Sequence, residues 1–422
     1  MNPLVRRFAF ALAATGALIA LVAMAAIYGA VLWRIATSTH GASGDYIAFY
    51  AAGWLVRGDG AASLYDATMI ETAERLLYPG VLRHPLAFLN PVFVAWLFAP
   101  LSMLPYTGSY FAWLAINAAL LIAVLHTTER HILRDAPDGL RRLFIGAAAL
   151  SMPVLATLVF GQLDLIALAG LLGGYLLLRA ERPWPAGLAL CAVLVKPHFL
   201  IGAGLLLLFR REWRAVAALA IVGVPLLVLP PLLTAPGTLV DNAAALAGVA
   251  GSSDDLPGRA SVMANWRGFV TSLTNSSNAL YWLPGLAAIA IGALALALPR
   301  WREATPGPAF DRAYSLAVLF PLVVSPHLHT QSLSLLLLPA ALMLRAQLDA
   351  GAALDRTAAI VLAGYAALFF LPFFAIQGLS LTFFLTATLF VVAARAWPAG
   401  EPATVRAAET AARVPAPASK AA

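Results

Sequence analysis

The stretch LALCAVLVKPHFLIGAGLLLLF, residues 188–209, decides how this chain reads. It is apolar up to Val195, breaks at Lys196, Pro197 and His198, and is apolar again from Phe199 to Phe209. Proline cannot continue a hydrogen-bonded helix through the break. A lone ammonium in such surroundings is costly unless it is paired or serves an anion. The stretch therefore reads as two short membrane segments, 184–196 and 197–209, meeting at a polar tip.

The rest of the chain has the same character. Of 422 residues, 61% are hydrophobic and 11% charged, against roughly 45–50% and about 25% in soluble domains. This is an all-α polytopic membrane protein. Further apolar segments run near 8–36, 88–104, 107–126, 142–160, 162–179, 213–233, 279–299, 313–325, 330–346, 358–376 and 378–396. A simple crossing needs roughly 20 residues, so several are too short to be one. The run at 8–36 exceeds the roughly 7–15 residues of a signal-peptide core and reads as a retained first helix. A single cysteine, Cys191, excludes an intramolecular disulfide and a cysteine metal cluster.

The formal charge of +7 comes from 25 Arg and two Lys scattered in short clusters at segment ends. That is the positive-inside pattern, not a nucleic-acid footprint. With those clusters in the cytoplasm, the segments alternate as about twelve crossings with both termini inside. The exception is 88–104, broken by Pro91 and Pro100, which reads as re-entrant or interfacial, leaving 107–126 as the crossing. The transmembrane domain covers 1–397, and 398–422, rich in Ala and Pro, reads as a disordered cytoplasmic tail. The external side then comprises loop 37–87, loop 234–278 and the turns at 161–164, 196–198 and 325–331. It carries Asp45, His84, Asn90, Gln162, Asp164, Lys196, His198, Asn265, Arg267, His327, His329 and Gln331. Polar groups gathered at one membrane depth mark a functional site.

In the first external loop, Tyr46, Phe49, Tyr50 and Trp54 follow helical spacing after Asp45, which reads as an amphipathic helix in the interface. Asp45 would stand at its start, as a cap or as a catalytic carboxylate.

The order of Asp45, Leu64-Tyr65-Asp66, Asn90-Pro91, Gly161-Gln162-Leu163-Asp164, Lys196-Pro197 and Ser325-Pro326-His327-Leu328-His329 resembles glycosyltransferase family 87. These are polyprenol-phosphate-mannose-dependent α-1,2-mannosyltransferases. The likeness runs from about residue 40 to 395. It implies a GT-C-type bundle with interfacial helices in the first external loop and an active site on the external face. It also implies a polyprenyl-phosphate-linked sugar donor, an inverting displacement and no nucleotide-sugar site. A glycolipid or glycan acceptor and no cofactor are expected, and His327-Leu328-His329, whose spacing also occurs in metal sites, has no third convincing ligand nearby. Under it Asp45 matches the catalytic base, and His327 and His329 match a pair of histidines that many relatives carry adjacent. Many relatives have Asn where Asp164 stands. The setting would be a bacterial inner membrane with the site facing the periplasm.

The chemistry asks for the same groups. Displacing a phosphate from an anomeric carbon needs a carboxylate to take the acceptor proton. It also needs cationic donors for the departing phosphate and an apolar groove for the isoprenoid. Asp45 would act as a single base, unlike the paired carboxylates of glycoside hydrolysis. Lys196, His198, Arg267, His327 and His329 are the phosphate-binding candidates. The alternatives are a paired or snorkelling Lys196, packed histidines and a solvated Arg267. His84, Asn90, Gln162, Asp164, Asn265 and Gln331 are candidates for sugar or acceptor hydroxyls, with turn and capping roles as the alternative. A secondary transporter or lipid flippase would share broken helices and midplane polar residues, but would show polar groups on both faces. A membrane assembly factor would need no carboxylate-and-cation cluster.

Overall fold

The computed structural model describes residues 3–38, 44–80, 85–251, 263–276, 278–303, 307–349, 364–366, 375–376 and 379–396. The expected tail at 398–422, residues 358–363 and 367–374 of the expected segment 358–376, and His84 lie outside the described residues. Within them the regular elements are helices apart from a two-residue strand pair, Ala375–Ile376 with Leu379–Ser380.

The first helices are α1 (Pro3–Thr37), α2 (Tyr46–Arg57), α3 (Ala67–Leu77) and α4 (Val92–Phe98). Then follow α5 (Tyr106–His131), α6 (Asp138–Ala149), α7 (Met152–Phe160), α8 (Asp164–Arg179) and α9 (Pro183–Leu190). Two tight 3-10 turns, Cys191–Val195 and Pro197–Phe199, lead into α10 (Leu200–Phe209). The chain continues through α11 (Trp213–Thr234), α12 (Thr238–Gly251), α13 (Trp266–Thr274), α14 (Ala279–Glu303), α15 (Pro308–Val324), α16 (Leu337–Asp349) and α17 (Thr382–Arg395).

Four of these segments are long and apolar enough to cross a membrane: α5, α11, α14 and the continuous run Thr330–Asp349. A fifth forms if α6 and α7, bent by 40° at a short break, count as one. The other segments expected to cross are shorter. Helix α4 has seven residues, about 10 Å, so 88–104 makes no single crossing helix. Short pieces are tolerated at membrane depth where protein surrounds them.

Burial separates two layers. Helices α11 and α14 turn Ile221, Val224, Leu233, Leu280 and Ile291 outward, as lipid-facing helices do. Helix α15 and the run Thr330–Asp349 are buried on nearly all sides and form the centre. Their connection, Ser325–His329, carries the Ser-Pro-His-Leu-His segment. In lipid there is no hydrophobic drive between helices, so small residues set their approach. A Cβ on Gly202 of α10 would run into the Ala317 carbonyl of α15, and one on Gly187 of α9 into that of Ala215 of α11. Gly202 thus seats the Lys196 hairpin against the centre, and Gly187 seats its other arm against α11.

Connectivity then sorts the polar groups to two ends. Helix α8 starts at Asp164 and ends at Arg179, which forms an ion pair with Asp311 at the start of α15. Tyr175 donates to the same carboxylate at 2.8 Å. Helix α15 runs from there to Ser325, and α10 runs from His198 toward Arg210. One end of the bundle thus holds Asp164, Lys196, His198 and His327, and the other holds Arg179, Arg210 and Asp311.

Helix α2 departs from its expected surface role. Ten of its twelve residues are buried, including Tyr46, Phe49 and Tyr50. It is walled in by α3, α4 and the turn at Leu101–Met103. Its aromatic residues, placed on one stripe by helical spacing, meet Phe98, Tyr106 and Tyr110. Trp54 stays at the edge, 36% exposed.

Candidate active site

Three connections converge at one end of the bundle: the start of α2, the turn between α7 and α8, and the chain following α15. Asp45 precedes α2 with helical backbone angles, and its side chain makes no capping bond. The Gln162 side-chain amide donates to Asp45 Oδ2. A second amide, Gln331 Nε2, lies 3.4 Å from the same oxygen.

The α7–α8 turn is built to make this approach. Helix α7 ends on Gly161 at φ +68°, a left-handed conformation that suits glycine. A Cβ there would lie 2.7 Å from that of Tyr46, so Gly161 also admits α2. Trp113 Nε1 donates to the Gly161 carbonyl at 2.7 Å. Gln162 and Asp164 leave the turn toward different partners: Gln162 meets Asp45, and the fully buried Asp164 accepts from Lys196 Nζ at 2.8 Å. Asp164 also opens α8, where the helix dipole favours a negative group.

Lys196 is therefore a partnered cation, 5.8 Å from the Phe199 ring centroid. His198 lies within electrostatic range of both Lys196 and His327. The His327 and His329 rings pack edge to face with centroids 4.7 Å apart. Ser325 Oγ fastens their turn, donating to the His327 carbonyl at 2.8 Å.

The segment Met263–Asn265 reaches the same turn. The Ala264 amide donates to the Leu328 carbonyl at 2.8 Å, and Met263 bridges His329. Both ends of the Asn265 amide are engaged: Nδ2 donates to Ser325 O at 3.1 Å and Oδ1 accepts from Gly268 N at 2.8 Å. Arg267 is fully buried, its guanidinium 5.4 Å from the Trp282 ring, not a solvated loop arginine. Asn90 donates to Val195 O at 2.8 Å, and its own carbonyl accepts from Tyr65 at 2.7 Å. It therefore ties the first loop to the residue before Lys196. Asp66 caps α3 through Thr68 N and Met69 N.

Two buried acceptors here have no hydrogen-bond partner among the described residues, Gln162 Oε1 and Asp164 Oδ1. A buried acceptor without a donor is penalised, and ligand hydroxyls would supply donors. Glu74 was not singled out by sequence reasoning. It is fully buried, accepts from Leu86 N at 2.9 Å through Oε2, and has Oε1 unpartnered. Burial lifts its carboxyl to about 7, with Asp45 among the charges it senses. The sequence held a signal: Ile70, Ala73, Glu74 and Leu77 share one helical stripe, and Glu74 is the charge in it. Among the described residues no group of three or more His, Cys, Asp or Glu side chains is placed to hold a metal ion.

Against known proteins, a family model described as Glycosyltransferase family 87 matches residues 88–326. The polyprenol-phosphate-mannose-dependent alpha-(1-2)-phosphatidylinositol pentamannoside mannosyltransferase of Mycolicibacterium smegmatis is 28% identical over 279 residues. That alignment covers 64% of this chain and 62% of the relative, so the match spans less than two thirds of the relative's length. No solved structure matches the chain.

Proposed function

Since the chain belongs to glycosyltransferase family 87, and is a membrane glycosyltransferase, we propose that it moves a hexose, mannose by its family likeness, from a polyprenyl-phosphate donor. The acceptor is a glycolipid or glycan at the external face of the membrane, and transfer inverts the anomeric centre. About twelve membrane passes, several of them short broken helices, carry the catalytic end to that face.

One observation carries this reading. Gln162 and Asp164, two residues apart on one turn, hold Asp45 and Lys196 respectively. The carboxylate taken as base and the cation taken for phosphate are thereby each tied to the same turn. In the proposed step the acceptor hydroxyl attacks the anomeric carbon and gives its proton to Asp45. The bond from that carbon to the phosphate oxygen breaks with its electron pair, and Lys196, His198, Arg267 and the His327/His329 pair receive the charge. Asp164 keeps Lys196 extended toward the site. Gln162 Oε1 and Asp164 Oδ1 accept sugar hydroxyls, and Gln331 steadies the base. Asn90 and Asn265, whose amides are engaged by the chain itself, position the Lys196 hairpin and the histidine turn. His84 completes the acceptor side in this scheme.

Purified protein in proteoliposomes, given radiolabelled polyprenyl-phosphate-mannose or a mannose nucleotide, tests the reading. Label should pass to a glycolipid acceptor from the lipid donor alone. Use of the nucleotide sugar only, or movement of labelled lipid across the bilayer with no transfer, overturns it.

A further inference from the structure

The bundle end remote from Asp45 holds an open cleft of about 510 Å³ lined by Leu208, Phe209, Arg210, Arg211 and Arg302. It belongs to no part of the site above. Helix α10 separates Arg210 from the Lys196 turn by ten residues, about 15 Å of helix.

The arginines are arranged and only partly neutralised. Arg210 stacks on Phe310 at 5.0 Å and pairs with Glu212 at 3.2 Å. Arg302 stacks on Phe209 at 5.5 Å, which presents its guanidinium edge without a carboxylate. Among the described residues neither Arg211 nor Arg302 has an acidic partner, and both are exposed. Arg300 and Arg312, within electrostatic range of one another, add positive field nearby. Guanidinium forks suit phosphate oxygens in two-point contact.

Apolar surface adjoins the charge. Leu208 is 45% exposed and Trp213 59% exposed. An amphipathic tryptophan beside arginines at a helix end is what a protein presents at headgroup level. Polar phosphate chemistry inside the cleft and apolar side chains at its lip select an anion that carries acyl chains.

We propose that this cleft binds the phosphate headgroup of an anionic phospholipid in the leaflet at that end. Clusters of arginine beside membrane helices attract such lipids at about 1 kcal/mol per residue. The proposal does not depend on the glycosyl-transfer reading.

Delipidated full-length protein titrated with phosphatidylglycerol, phosphatidylcholine or inorganic phosphate, read by native mass spectrometry, tests it. Phosphatidylglycerol should be retained in preference to phosphatidylcholine. R211Q/R302Q should weaken that binding on the order of thirtyfold, and R211Q alone, at an exposed side chain, by about fivefold. R134Q/R142Q removes one arginine from the link between α5 and α6 and one from α6 itself, and should leave binding unchanged. Equal retention of both lipids overturns the proposal, as does equal loss in the control variant. Inorganic phosphate binding as tightly as the lipid assigns the cleft to a soluble anion and overturns the lipid.

Discussion

The side-chain amide of Gln162 donates to the carboxylate of Asp45, across 117 residues of chain. The pairing orients one carboxylate oxygen and leaves Gln162 Oε1 buried with no hydrogen-bond partner among the described residues.

Replacing Asp45 by Asn should abolish sugar transfer, by about 10²–10⁴-fold for the loss of a general base. Gln162→Leu should cost about 10- to 100-fold, the weight of a hydrogen bond to a charged group. Gln331→Leu, at 3.4 Å, should cost less. Initial rates of label transfer from the lipid donor rank the three; a D45N enzyme of normal rate would remove Asp45 from the mechanism.

Lys196 and Asp164 separate stability from activity. Lys196→Met leaves a buried carboxylate alone and should destabilise the fold by about 3–5 kcal/mol. The double variant K196M/D164L should regain most of that stability and none of the activity. Thermal unfolding in detergent beside transfer assays reads both, and a double variant that still transfers sugar would make the pair structural only.

Glu74 should give stability a pH dependence. Its folded-state value is raised from 4.5 to about 7 by burial, so the native state holds the proton longer than the unfolded chain. Stability from this group is fully present below about pH 4.5 and is lost as pH rises through about 7. The loss is on the order of 3 kcal/mol. Glu74→Gln should flatten the fall in melting temperature between those values; an unchanged slope would assign it to another group.

Gly161→Ala should lower stability by roughly 1–2 kcal/mol from backbone strain alone, with more from the clash against Tyr46. Because the turn aims Gln162, activity should fall further than the melting temperature indicates. Thermal melts paired with transfer rates check this, and unaltered activity in a folded variant would show that the turn tolerates the change.

Much of the candidate site is legible in the sequence. The Lys196 hairpin stands out because one cation interrupts an apolar run, and the Ser325–His329 turn because polar residues separate two apolar ones. Other roles were not legible. Nothing local tells that Asn90 reaches Val195, or that both ends of the Asn265 amide are taken. Helix α2 reads as amphipathic, yet α3 and α4 cover it. Hydrophobicity reports what a segment avoids, not whether lipid or protein covers it, so the expected crossings outnumber the long spans the fold displays.

By itself the sequence determined a helical membrane chain with polar residues confined to the breaks between apolar runs, because solvation of backbone and charge in hydrocarbon permits little else. Only the tertiary structure decided which breaks meet. Gln162 facing Asp45, Asp164 facing Lys196 and Glu74 shut inside are set by helix packing, through forces between residues far apart in the chain.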